Sequence, residues 1–129
     1  MEYDLTILEK GCEELGIELG ENQKQQFISF YEYLVEKNKV MNLTGITEFQ
    51  EVLTKHFLDS LACVKAVDMT KVSAVMDIGT GAGFPGVPVK IAFPHLEACL
   101  LDSLKKRVNF LEETFELLKL NKISDSWKS

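Results

Sequence analysis

The stretch Val72-Ser73-Ala74-Val75-Met76-Asp77-Ile78-Gly79-Thr80-Gly81-Ala82-Gly83-Phe84-Pro85-Gly86 decides how this chain is read. Its first half is a short apolar run ending in glycine, the pattern of a strand buried on both faces. In its second half the glycines permit positive φ and let a ligand approach the backbone without a Cβ in the way. A helix is predicted over 84–93, ended by Pro94, and its start presents free N–H groups toward the same loop. Residues 96–101, Leu-Glu-Ala-Cys-Leu-Leu, read as a second strand. Val108, Leu111, Phe115 and Leu118 then form the apolar stripe of a helix over 104–118. The β-α-β-α order predicts two parallel neighbouring strands with a right-handed crossover.

Upstream the chain is helical in pattern. Leu5, Leu8, Cys12 and Leu15 recur at helical spacing before Gly16 and Gly20, which predicts a helix near residues 3–15. From Asn22 to about Asn38 the set Phe27, Phe30, Tyr31, Leu34 and Val35 keeps to one apolar stripe. Met41-Asn42-Leu43-Thr44-Gly45 breaks that pattern, and Thr47 with Gln50 reads as a capping box that restarts a helix over 48–67 with a break inside it. Within that helix His56-Phe57-Leu58-Asp59-Ser60 places an imidazole, a carboxylate and a hydroxyl within one turn, the ordinary reading of which is a solvated face. Three units follow: helices over 1–70, a partial nucleotide-type domain over 71–120 and an irregular, polar tail over 121–129.

The totals narrow the function classes. With 129 residues one hydrophobic core is expected. No segment approaches the roughly 18 uninterrupted apolar residues of a membrane span. Met1-Glu2-Tyr3-Asp4 carry acid where a secretory signal carries base, so a cytoplasmic location is expected. Cys12, Cys63 and Cys99 stand apart without C-x-x-C spacing, and with two histidines they make no ordinary zinc set; three buried thiols are expected instead. A net charge of −6 argues against a nucleic-acid grip built from this stretch alone and suits a small-molecule or cationic-cofactor site.

The loop itself discriminates between ligands. A dinucleotide fingerprint needs G-x-G-x-x-G, which from Gly79 requires glycine at position 84, where this chain has Phe84. The spacing present is G-x-G-x-G with Asp77 two positions before the first glycine. It resembles the S-adenosylmethionine (SAM) loop of class I methyltransferases. Asp102, at the carboxyl end of the second strand, stands where an acidic residue accepts hydrogen bonds from ribose hydroxyls.

Asn42-Leu43-Thr44, His56-Phe57-Leu58-Asp59-Ser60, Asp77 through Gly86, and Leu101-Asp102-Ser103-Leu104-Lys105-Lys106-Arg107 occur in the order and spacing of the GidB/RsmG methyltransferases, and the resemblance runs from about residue 5 to 120. It implies an α/β fold: an N-terminal helical cap followed by the first β-α-β-α units of a class I, Rossmann-like, SAM-dependent methyltransferase. It implies a cofactor, SAM, held by Gly79, Gly81 and Phe84 through the loop, with Asp102, Ser103 and Leu104 on the ribose and adenine side. Asn42, His56 and Asp59 match positions near the cofactor mouth. The implied reaction is methylation of guanine N7 in small-subunit (16S) ribosomal RNA. N7 offers an in-plane lone pair and carries no proton, so no general base is assigned. Lys90, Lys105, Lys106 and Arg107 are the candidate RNA contacts.

After Leu120-Asn121 the family continues into a third strand, whereas Lys122 to Ser129 read as polar and without strand periodicity. An Ala-Glu pair after that strand and an arginine beyond the fourth, both used by the family, have no counterpart here. The 129-residue chain is therefore expected to be catalytically inactive and to bind SAM poorly, with the edge of its first strand open to self-association. Asp102→Ala is expected to weaken SAM binding and leave the fold intact. Two other readings remain: a non-catalytic binding remnant and an NAD-binding Rossmann fragment.

Overall fold

The computed structural model describes residues 3–127. Helix α1 (Thr6–Glu14) turns its buried Leu8 and Cys12 inward. Helix α2 (Glu21–Met41) buries Phe27, Phe30 and Leu34, the stripe read from the sequence. It stops at Asn42, which takes the left-handed conformation (φ 52°, ψ 55°) that Asn tolerates better than most residues. The next helical region is not continuous. It runs as α3 (Phe49–Val52), a π-helical stretch over Leu53–Leu58 and α4 (Asp59–Ala62). The break foreseen inside this helix is thus a widened turn carrying His56, a feature that recurs at functional sites. Its N-cap is Glu48, whose carboxylate accepts from the N–H groups of Gln50 and Glu51 at 2.9 and 3.0 Å, and not Thr47. A carboxylate one residue on satisfies two orphan donors where a hydroxyl satisfies one.

A short 3₁₀ turn (Met69–Lys71) leads into β1 (Ala74–Ile78), followed by α5 (Gly86–Ala92), β2 (Glu97–Asp102), α6 (Lys105–Leu117) and β3 (Ile123–Trp127). The strands form one parallel sheet in the order β1-β2-β3, with Met76 beside Cys99 and Cys99 beside Ser124. The crossover helices pack on the sheet and bury Ala98, Leu100 and Asp102 of β2. One apolar cluster runs from Leu8 and Phe30 through Phe57 and Leu61 to Val87, Ile91, Leu100 and Leu111. Helix α2 is also tied to the C-terminal ends of both crossover helices. Gln23 Nε2 donates to the carbonyls of Ile91 and Ala92, and Gln26 Nε2 donates to that of Leu118, closing carbonyls that a helix end leaves open.

Four expectations change. The stretch after Asn121 is not irregular throughout: Ile123 to Trp127 form β3, because pairing with β2 supplies backbone partners to a segment whose side chains carry little apolar signal. β1 is not buried on both faces, since Met76 and Ile78 are 63% and 76% exposed and β1 lies at an edge of the described sheet. Lys90 is no surface contact: it is 1% exposed, and its ammonium donates to the carbonyls of Pro94 at 2.7 Å and Leu96 at 2.5 Å. The cation replaces water at the end of α5. Of the three thiols only Cys12 is buried, Cys63 being exposed and Cys99 partly so, because β2 leaves one face uncovered. Among the described residues no helix is long and apolar enough to cross a membrane.

Candidate functional site

The glycine loop sits across the carboxyl ends of β1 and β2 and is braced by a carboxylate from each. Asp77 of β1 accepts from Thr80 Oγ1 at 2.6 Å and from the Gly86 N–H, the first of α5, at 2.9 Å. Asp102 of β2 accepts from the Gly81 N–H at 2.8 Å with one oxygen and from the Leu104 N–H at 2.9 Å with the other. The Arg107 guanidinium lies 3.6 Å from Asp102. The N–H groups of Gly79 and Thr80 donate to the Leu101 carbonyl at 2.9 and 3.0 Å, which fastens the loop to the backbone of β2 as well.

The glycines divide by what surrounds them. A Cβ on Gly83 or Gly86 would stand 2.8 Å from Val87 or Leu100, so these two serve close packing of loop on helix and sheet. Gly79 and Gly81 take φ of +72° and +60° and would place a Cβ in open space. Their left-handed geometry turns an unobstructed backbone outward, the surface on which a ligand can lie.

Phe84 closes the far end of the loop. Its ring lies parallel to His56, with centroids 4.5 Å apart and planes 9° apart, and also meets Phe30 at 5.7 Å and Phe57 at 6.2 Å. His56 Nε2 is 2.7 Å from Thr44 Oγ1. Burial pushes the His56 imidazole below its ordinary range, with Asp59 pulling weakly the other way, so the neutral ring is favoured.

The structure thus brings Gly79, Gly81, Phe84 and Asp102 into one loop assembly with His56 stacked against it. Ser103 and Leu104 are exposed at the turn into α6, beside Lys105 and Lys106. Asn42 ends α2 as its C-cap, its N–H donating to the Asn38 carbonyl. Asp59 is exposed; with Asp77 it adds to the burial that pushes the Cys63 thiol up, which places both carboxylates near that thiol. The expectation that Asp102 could be removed without cost to the fold is corrected. Asp102 is 4% exposed, and its loss would remove the acceptor that joins the Gly81 and Leu104 N–H groups and the charge facing Arg107, so the loop and the turn into α6 lose a shared anchor. Sequence reasoning missed Thr44 as a partner of His56 and Thr80 as a partner of Asp77. Their spacing of 12 and 3 residues from those partners belongs to no motif, and only the loop's closure brings them together.

Residues 23–125 match the family described as rRNA small subunit methyltransferase G. A protein named ribosomal RNA small subunit methyltransferase G from Alkaliphilus metalliredigens is 49% identical over 118 residues, covering 92% of this chain and 49% of that protein. The protein of the same name from Lachnoclostridium phytofermentans is 50% identical over 121 residues, 94% of this chain and 50% of that protein. In Bacillus licheniformis the identity is 51% over 110 residues, 85% of this chain and 46% of that protein. The chain spans about half the length of the curated relatives it matches.

Proposed function

The chain belongs to the rRNA small subunit methyltransferase G family, and from that premise we propose that its loop from Gly79 to Phe84 holds SAM for methylation of small-subunit rRNA at guanine N7. The observation that carries this reading is the place of Asp77. In dinucleotide folds the first amides after the glycine loop receive a pyrophosphate. Here the Asp77 carboxylate already accepts from the Gly86 N–H, so a phosphate would meet negative charge instead of a free donor. A ligand with a sulfonium and an ammonium and no phosphate suits this electrostatic setting.

When bound, SAM supplies an electrophilic methyl on sulfur. The chain's own residues bind and orient. Gly79 and Gly81 offer open backbone, Phe84 an apolar wall, and Ser103 and Leu104 an exposed edge for the ribose and adenine side. Asp102 Oδ2 accepts the Gly81 N–H and keeps a second lone pair for a ribose hydroxyl, while Oδ1 accepts the Leu104 N–H and faces the Arg107 guanidinium. Because guanine N7 loses no proton, the work is alignment and exclusion of water, and no residue is assigned as acid or base. Lys105 and Lys106 are the surface cations nearest this edge and are proposed to meet phosphate. Calorimetry of this chain with S-adenosylhomocysteine and with NADH tests the reading. Weak binding of the former, and weaker binding still of the latter, is expected of these 129 residues; tighter binding of NADH would remove the reading.

The uncovered face favours a second property. β1 carries no Pro and no Lys along Ala74–Ile78, and its exposed Met76 and Ile78 lie beside a backbone edge that no strand among the described residues pairs, the condition in which strands recruit another chain. We propose that the chain self-associates through this edge. Sedimentation should show concentration-dependent association that Met76→Lys suppresses. A parent chain that stays monomeric at every concentration would dismiss the idea.

A further inference from the structure

We propose that Thr44 and His56 form a positioning pair for the loop, in which the Thr44 hydroxyl fixes the rotation of the His56 ring and that ring sets the plane of Phe84. The inference rests on the donor-site reading and specifies how that site is held in shape.

The links are continuous from α2 to the loop. Asn38, in the last turn of α2, accepts the Thr44 N–H on its Oδ1 at 2.7 Å. Thr44 Oγ1 accepts from the Ile46 N–H at 3.0 Å and faces His56 Nε2 at 2.7 Å. A hydroxyl has one proton and two lone pairs, so these two contacts leave it little freedom to turn. The imidazole bonded to it then lies flat on Phe84, at 4.5 Å and 9°.

Packing alone does not call for this arrangement. An apolar ring at position 56 would fill the same space against Phe84 but would be free to rotate about its last torsion. A hydrogen bond at Nε2 removes that freedom. The widened turn of Leu53–Leu58 is where His56 is presented, and the neighbouring Phe57 is fully buried against Phe27 and Phe30, so the backbone on which the ring stands is itself anchored. Burial lowers the proton affinity of the imidazole, which suits an apolar partner such as Phe84.

Two substitutions separate positioning from bulk. Thr44→Val keeps the volume and loses the hydroxyl, while Thr44→Ser keeps the hydroxyl and loses a methyl. Affinity for S-adenosylhomocysteine is read by calorimetry, and the ring-proton shifts of Phe84 by NMR. Thr44→Val should weaken affinity about tenfold, the scale of one hydrogen bond, and move the Phe84 shifts, with Thr44→Ser retaining both. Val behaving as the parent, or Ser losing as much as Val, would overturn the pair. If the parent chain itself does not bind the probe, the donor reading fails, and the pair is decided by the Phe84 shifts. Movement in Val with retention in Ser upholds it, and unchanged shifts in Val refute it.

Discussion

Asp77→Ala is expected to lower the unfolding free energy by about 3 to 5 kcal/mol and to abolish measurable binding of S-adenosylhomocysteine. The carboxylate accepts two hydrogen bonds, from Thr80 Oγ1 and the Gly86 N–H, and both donors belong to buried residues. Hydrogen bonds to a charged group contribute about 1.5 to 3 kcal/mol each, and an unsatisfied buried donor carries its full desolvation penalty. Against a typical total of about 5 to 15 kcal/mol this is a large fraction. Asp77→Asn, which keeps an acceptor for Gly86 and removes the charge, should retain most of the stability while still weakening the ligand. Denaturant titration of both variants beside the parent checks the claim. An unfolding midpoint for Asp77→Ala within error of the parent would show that the loop does not depend on this brace.

The second large effect is expected at Phe57. Its side chain is fully buried, 5.0 Å from Phe27 and 5.5 Å from Phe30 by ring centroids, and it lies behind Phe84 at 6.2 Å. Phe57→Ala opens a cavity at the junction of α2, the π-helical turn and the loop. Such truncations cost about 3 to 5 kcal/mol. The loss should also appear in the loop, because Phe84 would keep His56 but lose part of its backing. Thermal or denaturant unfolding gives the stability, and proteolysis at the loop gives the local effect. A loss under about 1 kcal/mol, the range of a surface substitution, would mean that the site collapses without a cavity.

Much of the architecture is legible in local pattern. The stripe Phe27, Phe30, Leu34 locates α2 because a period of 3.6 is written directly into the chain, and the G-x-G-x-G spacing locates the loop because few other arrangements tolerate three glycines after an apolar run. β3 was illegible for the opposite reason. Ser124, Asp125 and Ser126 carry no apolar alternation, and the strand exists through backbone pairing with β2 and the side chain of Ile123 against the core. The burial of Lys90 is not legible in its sequence surroundings, which cannot tell a surface ammonium from one that caps the carbonyls of Pro94 and Leu96.

Local pattern carries the order of helices and strands and the place of the glycine loop, because each rests on a period or spacing written along the chain, and the β-α-β order carries the parallel β1-β2 pair. Closure in three dimensions makes braces of the two aspartates, stacks His56 on Phe84 with Thr44 at its Nε2, and leaves one face of β1 uncovered among the described residues. These depend on partners 2 to 28 residues apart that no motif spacing joins, or on what does or does not pack against a surface. Hydrogen-bond geometry and burial are properties of closure in space, and no period along the chain encodes them.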